Sequence, residues 1–159
     1  EFAFMSIELG VQCPSFELIN TSGVKKKLND YYEKLLVIYF YPKDNTPGCT
    51  KESCKFRDIY SEFKELDCEV IGISADNNDS HVNFSNNFNL NFDLLSDVDY
   101  RVSKEFGTFF VSEQFGNSIK RETYLLDETG IVIRAWKDIK DPENHPIDVL
   151  EFVQNRVKT

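Results

Sequence analysis

The sequence predicts an α/β fold in which helices flank a central mixed β-sheet, and two patterns support this prediction. First, the continuous apolar run Leu35–Phe40 has the length of a buried strand, and it is followed by an amphipathic helix over 49–66 and a second buried strand over 70–74. This order is typical of a βαβ unit with parallel strands. Second, two later strands, 123–127 and 131–135, flank a short segment that ends in glycine and predict an antiparallel hairpin.

The remaining pattern extends the same sheet. We expect a helix around 81–88, a short strand over 92–95 and a helix over 100–106, and the apolar spacing of Ile147, Leu150, Val153 and Val157 predicts a closing amphipathic helix. A parallel βαβ unit, then an antiparallel hairpin, then a helix is typical of a thioredoxin-like fold. Because no linker, repeat or low-complexity tract interrupts the pattern, we predict a single domain over residues 5–159.

Composition and charge argue against several classes of function. The formal net charge is −9 and the pI is near 4.7, which disfavours binding to nucleic acids or anionic membranes. The lysine run 25–27 is predicted to be a solvated turn. No apolar stretch approaches the roughly 20 residues of a membrane span. We expect an intracellular protein, most simply a cytoplasmic one, with a nuclear or organellar location left open. Residues 1–4, ahead of Met5, are interpreted as an expression-vector remnant or the trimmed end of a longer precursor.

The most informative segment is the start of the helix that follows the first buried strand. Thr46 is predicted to be the helix N-cap and Pro47 the first helical residue, so Cys49 falls in the first turn. The partial positive charge of a helix N-terminus favours the thiolate form of a cysteine, and the thiolate is the nucleophilic form. Cys49 also follows the carboxyl end of a strand, where open α/β sheets bind their ligands.

The same helix places its two cysteines differently. Cys49 lies one heptad before Phe56 and two before Phe63, so it is predicted to point toward the packed face. Cys54 lies about 140° further round and shares its side with Arg57, so it is predicted to face outward. In an intact helix, Cα atoms five residues apart are roughly 8–9 Å from each other, beyond the ~7 Å limit for a disulfide. A bridge between Cys49 and Cys54 would therefore require the first turns to unwind.

Three alternative interpretations exist for this cysteine pair. Two ordinary buried cysteines would not place one thiol on a polar helix face. A zinc site usually has tighter cysteine spacing, and the two histidines, His81 and His145, are isolated in the sequence. The Cys-x2-Cys spacing of a dithiol oxidoreductase is absent. Of the other cysteines, Cys13 has no recognised partner, and Cys68, at a strand start, is predicted to be structural.

The pattern Pro42-x3-Thr46-x2-Cys49 resembles the peroxiredoxin signature, and the wider run over 40–52 resembles the peroxiredoxin Q branch, also called bacterioferritin comigratory protein. Similar matches occur over 10–18, from Ser80-His81 to Asp97, and over 121–130, so the resemblance covers nearly the whole chain. It implies that Cys49 is the peroxidatic cysteine and Cys54 the resolving cysteine.

The resemblance also implies roles for three further residues. Thr46 would hold the thiolate and the attacked peroxide oxygen through its hydroxyl, Arg121 would hold both through its charge, and Pro42 would shield the pocket from water. Arg121 is predicted to start a strand of the hairpin. Glu52 matches the family pattern as well, and two interpretations stay open for it: an acidic residue of the first helical turn, or a direct catalytic role.

The predicted function is that of a thiol peroxidase that reduces hydrogen peroxide or organic hydroperoxides without haem, flavin or metal. The resemblance implies a sulfenic acid on Cys49, a disulfide with Cys54, and reduction by thioredoxin or a glutaredoxin-type dithiol. We expect a monomer, with a weak dimer also compatible with the sequence. Two rival functions are a disulfide reductase or isomerase on the same fold, and a redox-sensing or chaperone-like binding protein.

Overall fold

The computed structural model describes residues 7–158. In chain order the strands are β1 (Glu17–Ile19), β2 (Lys25–Lys27), β3 (Leu35–Phe40), β4 (Cys68–Ser74), β5 (Asp93–Ser96), β6 (Phe109–Ser112), β7 (Gly116–Ile119), β8 (Glu122–Leu126) and β9 (Val132–Trp136). The helices are α1 (Pro47–Glu65), α2 (Asn78–Phe88), α3 (Arg101–Phe106) and α4 (His145–Lys158), with a 3-10 helix at Leu28–Tyr31. The interpretation of residues 1–4 lies outside the described residues.

Seven of the strands in this range form one sheet in the order β2-β1-β5-β4-β3-β8-β9, and β6 and β7 form a separate hairpin. Strands β3, β4 and β5 are parallel, whereas β8 pairs antiparallel with β3 and β9 pairs antiparallel with β8. The predicted mixed sheet, its βαβ unit and its hairpin are therefore confirmed. None of the described helices combines the length and the apolar character needed to cross a membrane.

Strand β3 lies inside the sheet between β4 and β8, and all six of its residues are buried. Its side chains alternate between the two faces of the sheet, as the twofold period of a strand requires. Ile38 and Phe40 join the apolar cluster on the face covered by α3, whereas Val37 and Tyr39 join the cluster on the face covered by α1, α2 and α4. The end of β3 is thereby fixed between two packed layers, and the chain leaves it directly toward α1.

Two predictions about the strands differ from the structure, and three strands have no counterpart in the predictions. Lys25–Lys27 is strand β2 rather than a turn, and it pairs with β1 at the edge of the sheet, where lysines discourage further strand pairing. Strand β8 begins at Glu122, so Arg121 precedes the strand instead of starting it. Strands β1, β6 and β7 were not predicted, because three- and four-residue strands carry little periodic signal.

The start of α1 agrees with the prediction. Thr46 is the N-cap in an extended conformation and Pro47 is the first helical residue, so Cys49 is the third. The Thr46 hydroxyl does not cap the helix; it donates to the Lys43 carbonyl at 2.8 Å. The turn that leads into the helix requires a positive φ of 63° at Asn45, a conformation that asparagine tolerates better than most residues.

Candidate active site

Cys49 is held where β3 ends and α1 begins. Its side chain is only 1% exposed and packs in the apolar cluster that contains Tyr39, Tyr41 and Phe56. The prediction that this thiol is sheltered is confirmed. A buried sulfur in the first turn of a helix lies close to backbone N–H groups that have no partner within the helix.

Arg121 reaches Cys49 from the neighbouring strand. The register that pairs Phe40 with Glu122 places Arg121 level with the end of β3. One terminal nitrogen of its guanidinium, Nη2, donates to the Cys49 sulfur at 3.3 Å. The predicted convergence of Cys49 and Arg121 is therefore present, although the two residues are far apart in the sequence.

Glu52 is the third member of this cluster. Its Oε1 accepts from Arg121 Nη1 at 2.7 Å, and its side chain is fully buried. The guanidinium thus bridges the carboxylate and the sulfur of Cys49. The first-turn interpretation of Glu52 is wrong, because α1 begins at Pro47 and the first turn contains no acidic residue.

The three groups of this cluster influence one another's charge. Burial raises the pKa of Glu52 to about 7, and the charge and hydrogen bond of Arg121 oppose that rise. For Arg121, burial alone would lower the pKa, but the negative charges of Glu52 and Cys49 outweigh it and the pKa is raised. The arginine is therefore a permanent cation, held by hydrogen bonds between the Glu52 carboxyl and the Cys49 sulfur.

The other two predicted site residues line a neighbouring surface pocket whose lining does not include Cys49 or Arg121. Pro42 is exposed and Thr46 is half-buried. Both line an open pocket of about 440 Å³ between the loop that precedes α1 and the β6–β7 hairpin, with Tyr100 and Phe115 among the other lining side chains. The only hydrogen bond of the Thr46 hydroxyl within the described residues is its donation to Lys43, so its role toward peroxide stays a prediction, as does the shielding role of Pro42.

Cys54 lies elsewhere on α1. Its sulfur is half-buried rather than fully exposed, and Arg57 Nη1 approaches it at 3.6 Å. The same nitrogen donates to the Phe88 carbonyl at the end of α2 at 2.7 Å. Burial raises the pKa of the Cys54 thiol, and the charge of Arg57 opposes that rise. All four cysteines are free thiols in this structure.

The remaining two cysteines lie away from this cluster. Cys13 and Cys68 are both buried in the apolar core. Burial, with a smaller contribution from Glu105, raises the pKa of the Cys13 thiol to about 12. Burial likewise raises the pKa of the Cys68 thiol. Neither thiol has an environment that favours the nucleophilic form, and the structural prediction for Cys68 agrees with its position at the start of β4.

His145 was missed by sequence reasoning as a neighbour of the site. It is buried, its Nε2 lies 2.8 Å from the Thr123 hydroxyl, and burial and the charge of Arg121 lower its pKa to about 4. It is therefore neutral near pH 7 and adds no charge beside Arg121. An isolated histidine at the start of a late helix gives no sequence signal for this proximity.

Comparison with known proteins agrees with this geometry. The model of the AhpC/TSA family matches residues 9–135. Peroxiredoxin Bcp of Bacillus subtilis is 39% identical over 154 residues, which cover 95% of this chain and 98% of that protein. The chloroplastic peroxiredoxin Q of Sedum lineare is 41% identical over 152 residues, which cover 96% of this chain and 81% of that protein.

Solved structures give the same result. A cysteine-to-serine variant of peroxiredoxin Q from Xylella fastidiosa has a TM-score of 0.90 and 30% identity, covering 96% of this chain and 98% of that one. The bacterioferritin comigratory protein of Xanthomonas campestris has a TM-score of 0.84 and 33% identity, covering 89% of this chain and 92% of that one. The predicted thioredoxin-like fold is confirmed. With a sheltered cysteine, a bridging arginine and these relatives, the chain belongs to the AhpC/TSA family, in its Bcp and peroxiredoxin Q branch, and is a thiol peroxidase.

Proposed function

We propose that this enzyme reduces hydrogen peroxide and organic hydroperoxides through a sulfenic acid on Cys49, which Cys54 resolves as an intrachain disulfide. The observation that carries the proposal is the 3.3 Å contact between Arg121 Nη2 and the Cys49 sulfur inside a buried cluster. In the first step the Cys49 thiolate attacks the terminal oxygen of the peroxide. A sulfur–oxygen bond forms and the O–O bond breaks, so the terminal oxygen stays on the sulfur with its proton as the sulfenic acid. The leaving alkoxide or hydroxide takes a proton from solvent and departs as alcohol or water.

Arg121 contributes to this step in two ways. Its charge stabilises the thiolate, and the same N–H groups face the region where negative charge develops as the O–O bond lengthens. Donors that are fixed before the reaction are worth far more than donors in water, because they require no reorganisation. The bond to Glu52 holds the guanidinium plane in place, so Glu52 acts as a positioning residue for Arg121.

The second step is condensation of the sulfenic acid with Cys54. The Cys54 sulfur attacks the sulfur of Cys49, a disulfide forms and water leaves. The intact α1 keeps the two residues too far apart for this bond, so the first turns must unwind. Unwinding also relieves the burial that raises the pKa of Cys54, which favours its reactive thiolate.

The proposed cycle ends with thiol–disulfide exchange, in which an external dithiol reduces the disulfide and is itself oxidised. Thioredoxin or a glutaredoxin-type protein is the proposed reductant, in a reducing intracellular compartment. The structure of the bacterioferritin comigratory protein of Xanthomonas campestris is described in terms of that protein's alkyl peroxide reduction activity. The pocket beside Thr46, with Tyr100 and Phe115 in its lining, supports an organic hydroperoxide as a substrate here as well.

Substitution of each cysteine in turn should separate the two chemical steps. We expect Cys49→Ser to abolish peroxide reduction, because the nucleophile is removed. Cys54→Ser should retain a normal oxidation phase in stopped-flow fluorescence and then stall as the sulfenic acid, which a dimedone-type reagent would trap. Cys68→Ser, a buried cysteine away from the site, is the matched control. Loss of the first phase in Cys54→Ser would reverse or refute the two assignments.

Removal of the bridging cation should slow the first step. We expect Arg121→Ala to reduce the second-order rate constant of Cys49 oxidation at least tenfold, since one preorganised donor to a developing anion is typically worth about 2.7–4 kcal/mol. Stopped flow with excess peroxide measures this constant.

Arg134→Ala, which removes a half-buried arginine packed on Trp136, is the control for loss of an arginine. Arg121→Ala leaves Glu52 buried without its partner and can destabilise the protein. In that case the rate constant of Cys49 oxidation is measured in an Arg121→Ala/Glu52→Gln double variant. An unchanged rate constant in a folded Arg121 variant would remove this residue from the mechanism.

Glu52 should make stability depend on pH. Its pKa is raised by burial to about 7, above the ordinary value near 4.3, so the folded state binds a proton more readily than the unfolded state. The stabilisation of the folded state by this tighter proton binding is fully present below pH ~4 and is lost as the pH rises through 7. The comparison is between Cys49→Ser, which retains Glu52, and the double variant Cys49→Ser/Glu52→Gln. Between pH 5 and pH 8, we expect the free energy of unfolding of the variant that retains Glu52 to fall relative to that of the double variant.

Urea unfolding at several pH values measures this difference, with Glu62→Gln, an exposed glutamate on the same helix, as the control. If the difference in the free energy of unfolding between the variants with and without Glu52 does not depend on pH, the expected protonation is contradicted.

Oxidation should melt the start of α1 and leave the rest folded. Residues 46–54 hold the fewest internal helical hydrogen bonds and include Gly48, which weakens a helix. Beyond them, Phe56 is fully buried and Arg57 is tied to the Phe88 carbonyl. We expect faster amide exchange over 46–54 in the disulfide form than in the dithiol form, with unchanged protection over 56–66. Equal protection in both forms would mean that Cys54 is not the resolving thiol.

A further inference from the structure

A second buried polar cluster lies beneath the loop that leads into α1, and nothing in the proposed mechanism uses it. His81 of α2 is fully buried, and its Nδ1 lies 2.7 Å from Oδ2 of Asp44 in the loop. Asp44 also accepts from the Tyr41 hydroxyl at 2.6 Å and from the Ser80 hydroxyl at 2.8 Å. A buried histidine and aspartate that contact each other directly require an explanation, because charges are costly to bury.

Hydrogen-bond accounting fixes the protons of this pair. The other ring nitrogen of His81, Nε2, faces the Leu95 carbonyl at 3.2 Å, and a carbonyl oxygen only accepts. Nε2 therefore carries a proton. A second proton lies in the short contact between Nδ1 and the Asp44 carboxylate, because one of these two atoms must donate. The pair is thus net neutral, and both ring nitrogens of His81 are engaged.

The pair fastens a loop that is otherwise exposed or half-buried. From Pro42 to Gly48, Asp44 is the single buried residue. Its backbone N–H donates to Asp76 Oδ2 at 2.9 Å, and that oxygen also accepts from the Ser74 hydroxyl at 2.7 Å. Side chain and backbone of one residue therefore tie the loop to the ends of β3 and β4 and to α2.

A metal ion is a weaker interpretation of the same cluster. Potential ligand atoms of Asp44, Asp76 and His81 lie within 4.8 Å of one another. However, Asp44 Oδ2 contacts both Ser80 and His81, and Asp76 Oδ2 already accepts two hydrogen bonds. Since a cation would have to displace these partners, the hydrogen-bonded pair is the better account.

We propose that the Asp44–His81 pair is an anchor that positions the start of α1, and with it the Cys49 sulfur, for reaction with peroxide. The inference rests on the proposed function. Asp44 lies two residues before the N-cap Thr46, whose carbonyl accepts the Thr50 N–H of the first helical turn at 2.9 Å. The anchor precedes the segment that unwinds, so it stays in place during disulfide formation. His81 and Asp44 are positioning residues for the first step and not for the second.

Stopped-flow oxidation of the reduced enzyme by hydrogen peroxide tests this assignment with His81→Asn and Asp44→Asn. We expect the second-order rate constant of Cys49 oxidation to fall at least tenfold in each, while the rate of disulfide formation is not reduced. The amplitude of the oxidation phase separates positioning from folding, because a partly unfolded sample loses amplitude whereas a mispositioned sulfur lowers the rate constant. Amide exchange over 49–53 in the reduced protein should also be faster in both variants.

Two less disruptive serine substitutions test the anchor if both His81→Asn and Asp44→Asn prevent folding. Ser80→Ala removes one hydrogen bond to Asp44, and Ser85→Ala removes a hydroxyl from the same helix away from the loop. We expect a twofold to fivefold slower oxidation for Ser80→Ala and wild-type rates for Ser85→Ala. Wild-type rate constants in folded His81 and Asp44 variants would overturn the anchor. Absence of Cys49 oxidation in the wild-type enzyme would instead refute the proposed function.

Discussion

The active site depends on one guanidinium that serves two acceptors. Arg121 donates to the Cys49 sulfur and to the Glu52 carboxylate from its two terminal nitrogens. Glu52 depends on this contact, because its side chain is fully buried and an unpaired buried carboxylate is strongly disfavoured. The arrangement also explains the lack of space beside Gly48, where a Cβ atom would lie 3.1 Å from Arg121 Nη2. The start of α1 and the segment before β8 are therefore fitted to each other around this cation.

The proposed cycle adds a second constraint, because the helix that positions Cys49 must also be able to open. Its first turn lies in a well-defined place, since Cys49 is buried and the loop before it is fastened through Asp44. Net stabilisation per helical hydrogen bond is only about 0.5–1.5 kcal/mol, so melting two turns costs a few kcal/mol. Disulfide formation can offset a cost of this size. In the proposed cycle, anchors on both sides of the opening segment, Asp44 before it and Phe56 after it, limit the unwinding to residues 46–54.

Much of this site could be predicted from local sequence. The strand before the cysteine, the N-cap at Thr46 and the two faces of α1 follow from periodicity and helix capping, which depend on neighbouring residues. Arg121 was identified through family resemblance, because its approach to Cys49 depends on strand pairing across the sheet. The Glu52 contact and the Asp44–His81 pair could not be derived in this way. Asp44 and His81 come from different elements, and an isolated histidine looks the same in the sequence whether it is buried or exposed.

The order of the proposed chemistry follows from the different surroundings of the two thiols. Cys49 is buried beside the guanidinium of Arg121, whose Nη2 lies 3.3 Å from its sulfur. Cys54 is half-buried, its pKa is raised by that burial, and Arg57 only partly opposes the rise. Of the two sulfurs, Cys49 therefore has the closer guanidinium contact, 3.3 Å against 3.6 Å for Cys54. After Cys49 is oxidised, its sulfur no longer carries the negative charge that Arg121 stabilises, so one contribution to the folded first turn weakens. Unwinding then exposes Cys54 when an electrophilic sulfur is available for it, and the reaction of Cys54 therefore follows that of Cys49.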